Sequence, residues 1–155
     1  MGKCLAILCG LLIVTVGILT AFEDRFFSKD DATELLAKSG ITLSDPFEIK
    51  DNRSSWAIGD YYHTFTIHIS ERDRQTLISE IKHSNNFKKL ESTVRDLLFE
   101  RENRYSGPVR TQHYETPTAY VREYFKPNGE GYAPTFIRIS IDKNETVLIF
   151  EDIVE

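Results

Sequence analysis

Beyond residue 9 the chain has no cysteine; Cys4 and Cys9 are the only two. That excludes a disulfide framework, a zinc–cysteine cluster and a cysteine nucleophile from everything downstream. Glycine and proline are sparse, 8 and 5 among 155 residues, which excludes fibrous and low-complexity classes. No internal repeat is present. G-x-S-x-G, H-E-x-x-H, P-loop and G-x-G-x-x-G patterns are all missing, so no familiar hydrolase, metalloprotease or nucleotide fingerprint is available. Positive charge is short as well. There are 19 Lys+Arg against 24 Asp+Glu, a net charge of −5. Without Lys3, the only charged residue before Glu23, the balance is 18 against 24, or −6. A chain of that sign is repelled by phosphate backbones and anionic lipid heads, so nucleic acid is not an expected partner. The charge suits a basic protein partner, and it also simply keeps a domain soluble.

What is present begins with one apolar run. Cys4 to Phe22 contains no charged residue. At about 1.5 Å of helical rise per residue it would reach roughly 28 Å, close to the core of a bilayer. The run is longer than a signal-peptide core and ends without an A-x-A cleavage site. Residues 1–22 therefore read as a transmembrane signal anchor or uncleaved signal segment, with membrane contact through residues 4–22. Lys3 before the run gives a slight positive-inside bias that places the following domain outside the cytoplasm. The alternative is a secreted or periplasmic domain released by cleavage.

Residues 23–27 form a juxtamembrane linker, and 28–155 make a single globular domain. A chain of this size buries enough surface to fold without metals or crosslinks. Ser28 with Asp31 and Ser70 with Asp73 are capping pairs that open helices over 29–39 and 71–83. Gly40 closes the first helix. Phe47 to Ile49 starts a strand, Asp51 to Ser55 reads as a turn, and Trp56 to Ser70 holds the clearest strand. There Tyr61, His63, Phe65, Ile67 and Ile69 share one parity, and Tyr62, Thr64, Thr66, His68 and Ser70 the other. Residues 87–102 fit a third helix or, around Val94 to Phe99, a strand. Tyr105 to Pro117 reads as an exposed loop. Ala119 to Lys126, Phe136 to Asp142 and Thr146 to Phe150 form a strand meander with short turns. The expected fold is α+β: an N-terminal transmembrane helix, then an antiparallel sheet of about four or five strands with helices on one face.

Candidate chemistry is thin. His63 and His68 lie five apart on one strand and face opposite ways, so they cannot share a metal. Glu80 and His83 make a single E-x-x-H step, where a carboxylate-bridged metal site needs two. His113 falls in the loop. Glu151 and Asp152 read as solvated strand-end residues. No catalytic residue, cofactor or metal ligand is assigned. Tyr120, Arg122 and Tyr124 share a strand parity; with Trp56 they form the candidate protein-interaction face, because Tyr, Trp and Arg anchor interfaces. The sequence thus points to a membrane-anchored, non-enzymatic interaction domain, either an immunity or inhibitor protein or an accessory subunit of an envelope complex. The alternative is a small extracytoplasmic enzyme or ligand-binding domain. A concave site gathering His63, Tyr61 and carboxylates would favour the second, and a flat Tyr/Arg face the first. Deleting residues 1–27 is expected to leave a soluble, monodisperse, folded domain, checked by size-exclusion chromatography and circular dichroism; aggregation would count against a domain that starts at Ser28.

Overall fold

The computed structural model describes residues 27–57, 60–91 and 104–154. Helix α1 (Lys29–Lys38) starts where Ser28 accepts the Asp31 N–H and Asp31 in turn accepts the Ser28 N–H, a closed capping box. Helix α2 (Glu71–Lys82) starts on Ser70, whose hydroxyl accepts the Asp73 N–H. Seven strands make one sheet: β1 (Glu48–Ala57), β2 (Asp60–His68), β3 (Phe87–Lys89), β4 (Arg110–Glu115), β5 (Ala119–Lys126), β6 (Thr135–Asp142) and β7 (Val147–Val154). Their order is β1-β2-β7-β6-β5-β4-β3. All neighbours are antiparallel except β3 and β4, which run parallel.

Both helices feed one core. Ala32 and Leu36 of α1 and Leu77 and Ile81 of α2 pack with Phe65, Ile67, Ile139, Ile141, Leu148 and Phe150 of the central strands. Phe65 and Phe150 are cross-strand partners with stacked rings 4.7 Å apart. Phe27, placed by its sequence in the linker, packs its ring 5.0 Å from Phe65 and belongs to this core. The turn after α1 is fastened to α2: Asp73 accepts the N–H groups of Ser44 and Asp45, each at 2.9 Å. Burial works against the Asp73 charge, but these two bonds and Ser70 outweigh it and hold its pKa below the ordinary aspartate value. Gly40, at φ +74°, follows the end of α1. A side chain there would also strike the Arg122 guanidinium, whose Nη2 lies 2.8 Å from where a Cβ would stand.

Four sequence expectations need correction. The sheet has seven strands, not four or five. Asp51 to Ser55 is no turn but the middle of β1, a polar strand paired along its length with β2. A register shift between Ile49 and Asp51 makes Lys50 an extra residue, a bulge that keeps Ile49 and Asn52 both on the core side. The expected loop over 105–117 contains β4, and Phe87 to Lys89, expected to begin a third helix, is β3. The rest of that helix, residues 92–103, lies outside the described residues. So does the expected transmembrane helix: among the described residues no helix is long and apolar enough to cross a membrane.

The face of the sheet away from α1 and α2 carries a row of polar side chains. Thr64, Glu151, Arg138 and Glu123 are successive cross-strand partners on β2, β7, β6 and β5. Arg138 Nε donates to Glu123 Oε1 at 3.0 Å, and the Glu123 side chain is 0 % exposed. Tyr114 donates to Glu123 at 2.8 Å, Tyr62 donates to Glu151 at 2.7 Å, and the Arg138 guanidinium stands 3.9 Å from Glu151. Burial opposes the charge on Arg138, but Glu123, Tyr114 and Glu151 outweigh it and raise its pKa. Burial and the bond to Glu151 push the Tyr62 hydroxyl up to about 12. A buried ion pair is costly to break by halves. Arg138→Met is therefore expected to lower the unfolding free energy by about 3 kcal/mol, whereas the double variant Glu123→Leu/Arg138→Met recovers most of that loss. Urea unfolding of the two variants checks both halves.

Candidate functional site

The sheet row next to the polar ladder points the other way, under α1. In it Ser54, His63, Asp152, Ile137 and Tyr124 are successive cross-strand partners on β1, β2, β7, β6 and β5. The helix does not seal this end of the row. A pocket of about 400 Å³ opens there, floored by Asn52, Ser54, Tyr61, His63 and Asp152 and walled by Phe27. Its α1 rim carries Asp31, Glu34, Leu35 and Lys38.

His63 is held on several sides. Its Nε2 lies 2.8 Å from Asn52 Oδ1, so that nitrogen carries the hydrogen when the amide is oriented with its oxygen inward. The Phe27 ring meets the imidazole edge-on at 5.1 Å, and Tyr61 lies tilted at 6.3 Å. The side chain is 7 % exposed. The sequence parity that set His63 and Tyr61 among core residues is what brings them here.

Asp152 is the unexpected member. Directly beside His63 in the ladder, its Oδ1 is buried and meets no hydrogen-bond partner among the described residues. Burial raises its pKa above the ordinary 3.8. The rim charges are already engaged: Asp31 accepts from Ser28, and Glu34 pairs with Lys38 at 2.6 Å. The pocket therefore ends on an unanswered carboxylate oxygen.

Ser54, His63 and Asp152 have the composition of a catalytic triad but not its wiring. In a triad one imidazole nitrogen faces the nucleophile and the other the carboxylate. Here Nε2 is turned to Asn52. Among the described residues no three His, Cys, Asp or Glu side chains converge on a metal position.

The residues singled out from sequence as an interaction face lie elsewhere. Tyr120 and Tyr124 are half-buried and packed against the core beneath the helices. Lys82 and Lys143 each sit over the Tyr120 ring, at 5.8 and 5.3 Å from its centre. Arg122 reaches back to the Gly40 carbonyl at 3.3 Å. These three share the helix-covered side of the sheet, and Trp56 is at the far end of β1, opposite Tyr61. The structure thus brings Trp56 near the His63 pocket in the ladder, but not together with Tyr120, Arg122 and Tyr124.

The other histidines have local duties. His68 meets Thr146 Oγ1 at 2.8 Å, His83 caps α2 beside Ser79, and His113 pairs with Asn86 at 2.7 Å. Burial and then the Arg122 charge hold the His113 pKa down. No protein-family model, curated protein or solved structure matches the chain.

Asp152 carries a test of the site. Its folded-state pKa lies above the unfolded one, so ionising it costs stability as pH rises through that interval. Asp152→Asn is expected to stabilise the protein by about 1 kcal/mol at neutral pH. The gain should vanish below the unfolded pKa, where both side chains are neutral. Thermal melts of the two proteins at neutral and acid pH measure the difference.

Proposed function

We propose that the protein is a ligand-binding domain whose pocket beneath α1 accepts a small molecule. The observation that carries this reading is the buried Asp152 Oδ1 without a partner, at the floor of a pocket of about 400 Å³. Ligand pockets of roughly 300–1,000 Å³ combine aromatic walls with a few convergent polar groups. Phe27, Tyr61 and His63 supply the walls, and Asp152, Ser54 and Asn52 the polar groups. A buried polar atom left unpaired is a cost that folding alone does not explain and that a bound donor removes.

Delivery of the domain to, or across, a membrane rests on the apolar run Cys4 to Phe22. The interaction-domain reading drew on an exposed Tyr/Arg face. Tyr120, Arg122 and Tyr124 are each partly buried, which favours the pocket over that face.

Screening a library of small metabolites against the full-length protein by thermal shift tests the reading. Hits are expected to raise the melting temperature with the logarithm of ligand excess over Kd. They should lose that effect with Ser54→Phe, which fills the pocket from β1. A library without hits, or hits indifferent to Ser54→Phe in a variant that still melts cooperatively, would refute it.

A further inference from the structure

We propose that the ligand of this pocket carries an alkylammonium group, with Asp152 as its counter-ion and the rings of Phe27, Tyr61 and His63 as its cage. The proposal rests on the ligand-binding reading above and narrows it to a chemical class.

Charge comes first. Among the described residues, three carboxylates line the pocket, those of Asp31, Glu34 and Asp152, against the ammonium of Lys38. Lys38 is already paired with Glu34 on the exposed side of α1. Asp31 is committed to the Ser28 N–H and hydroxyl at 2.8 and 2.6 Å. An anionic ligand would meet a site of its own sign, with no cation unengaged among the described rim residues. A cation meets Asp152 at the floor, where burial strengthens the attraction.

The walls decide which kind of cation. A metal ion asks for several ligands converging on one point, and the described side chains offer no such set. A soft organic cation asks for ring faces and one carboxylate. Phe27 and Tyr61 both neighbour His63, at 5.1 and 6.3 Å between ring centres. An ammonium lying over these rings spreads its charge across them while one edge reaches the Asp152 oxygen. Desolvation then favours the pair, because a cation–π contact is worth about 2 kcal/mol when dry and less at an open surface. A single carboxylate also leaves the imidazole free to keep its bond to Asn52.

An alkylammonium can come from a free amine or from a lysine side chain of a partner protein. Choline represents the first source as a small free cation, and a capped lysine imitates the unmodified side chain of the second. Full-length protein would be titrated with choline, with N-acetyl-lysine methylamide, and with 3,3-dimethylbutanol, the neutral isostere of choline. Calorimetry gives affinity, and the fluorescence or NMR signal of Tyr61 reports the pocket.

The expected result is that at least one cation binds and the neutral isostere binds about tenfold more weakly or not at all. Asp152→Asn should weaken the cation by about tenfold while melting no lower than the parent, which separates lost binding from lost folding. Tyr61→Leu should weaken it by a smaller factor through the lost ring. Choline as the better ligand assigns a free amine, and the capped lysine a protein partner. Equal binding of choline and its isostere, or an affinity unmoved by Asp152→Asn, overturns the ammonium assignment and leaves a pocket with another ligand. The same holds if the metabolite screen yields anionic or neutral ligands that Ser54→Phe blocks. Silence from every probe and from the screen overturns both this proposal and the ligand-binding reading.

Discussion

A carboxylate and a guanidinium are buried together in the middle of the sheet, and the arrangement of five strands follows from keeping them satisfied. Glu123 is fully covered, so each of its acceptor positions has to be met from neighbouring strands. Arg138 on β6 and Tyr114 on β4 both donate to its Oε1, from the strands on either side. Arg138 in turn faces Glu151 on β7, and Tyr62 on β2 completes that carboxylate. A slip of one residue in any of these pairings would turn one member to the opposite face of the sheet. The row therefore fixes register across β4, β5, β6, β7 and β2 in a way that isoleucine packing alone would not.

The two faces of the sheet treat charge in opposite ways. On the far face each acid has a donor, and the ladder closes on itself. Under α1 the adjacent row sets Asp152 between Ile137 on one side and, on the other, an imidazole already engaged by Asn52. Two aspartates on the helix side also differ. Asp73 receives two backbone N–H groups, and its pKa is held below the ordinary aspartate value. Asp152 receives nothing on Oδ1 and is pushed the other way. Among the described residues, Asp73, Glu123 and Glu151 are answered, and the exception lies in a pocket.

The helices and the central strands were legible because local chemistry and burial agree there. Ser28 with Asp31 and Ser70 with Asp73 mark both helix starts within a residue of where they stand. β6 was legible because Ile137, Ile139 and Ile141 alternate along it and all three enter the core. The outer strands were not legible. Glu48–Ala57 and Arg110–Glu115 are polar sequences whose pairing is imposed by their neighbours rather than by a hydrophobic stripe. The site was half legible. Tyr61 and His63 follow from parity in β2. Asp152 was read as a solvated strand end because the run of apolar residues weakens after Phe150. Continuing the same parity two residues further, from Phe150 to Asp152, would have set it on the core side beside His63. Asn52 and Ser54 were hidden with the rest of β1.

The two borders of the sheet have a bearing on how crowded the protein can become. Every open sheet has outer strands whose unused N–H and C=O groups invite another chain. Here one border is β3, three residues long, which gives little to pair with. The other is β1, long enough to recruit a neighbour, but it is bent by an extra Lys50 and studded with Asp51 and Arg53. Charge and curvature together spoil the flat template that fibril growth needs. A seven-stranded sheet built this way can be held at high local density, copy beside copy, without its edges zipping into a polymer.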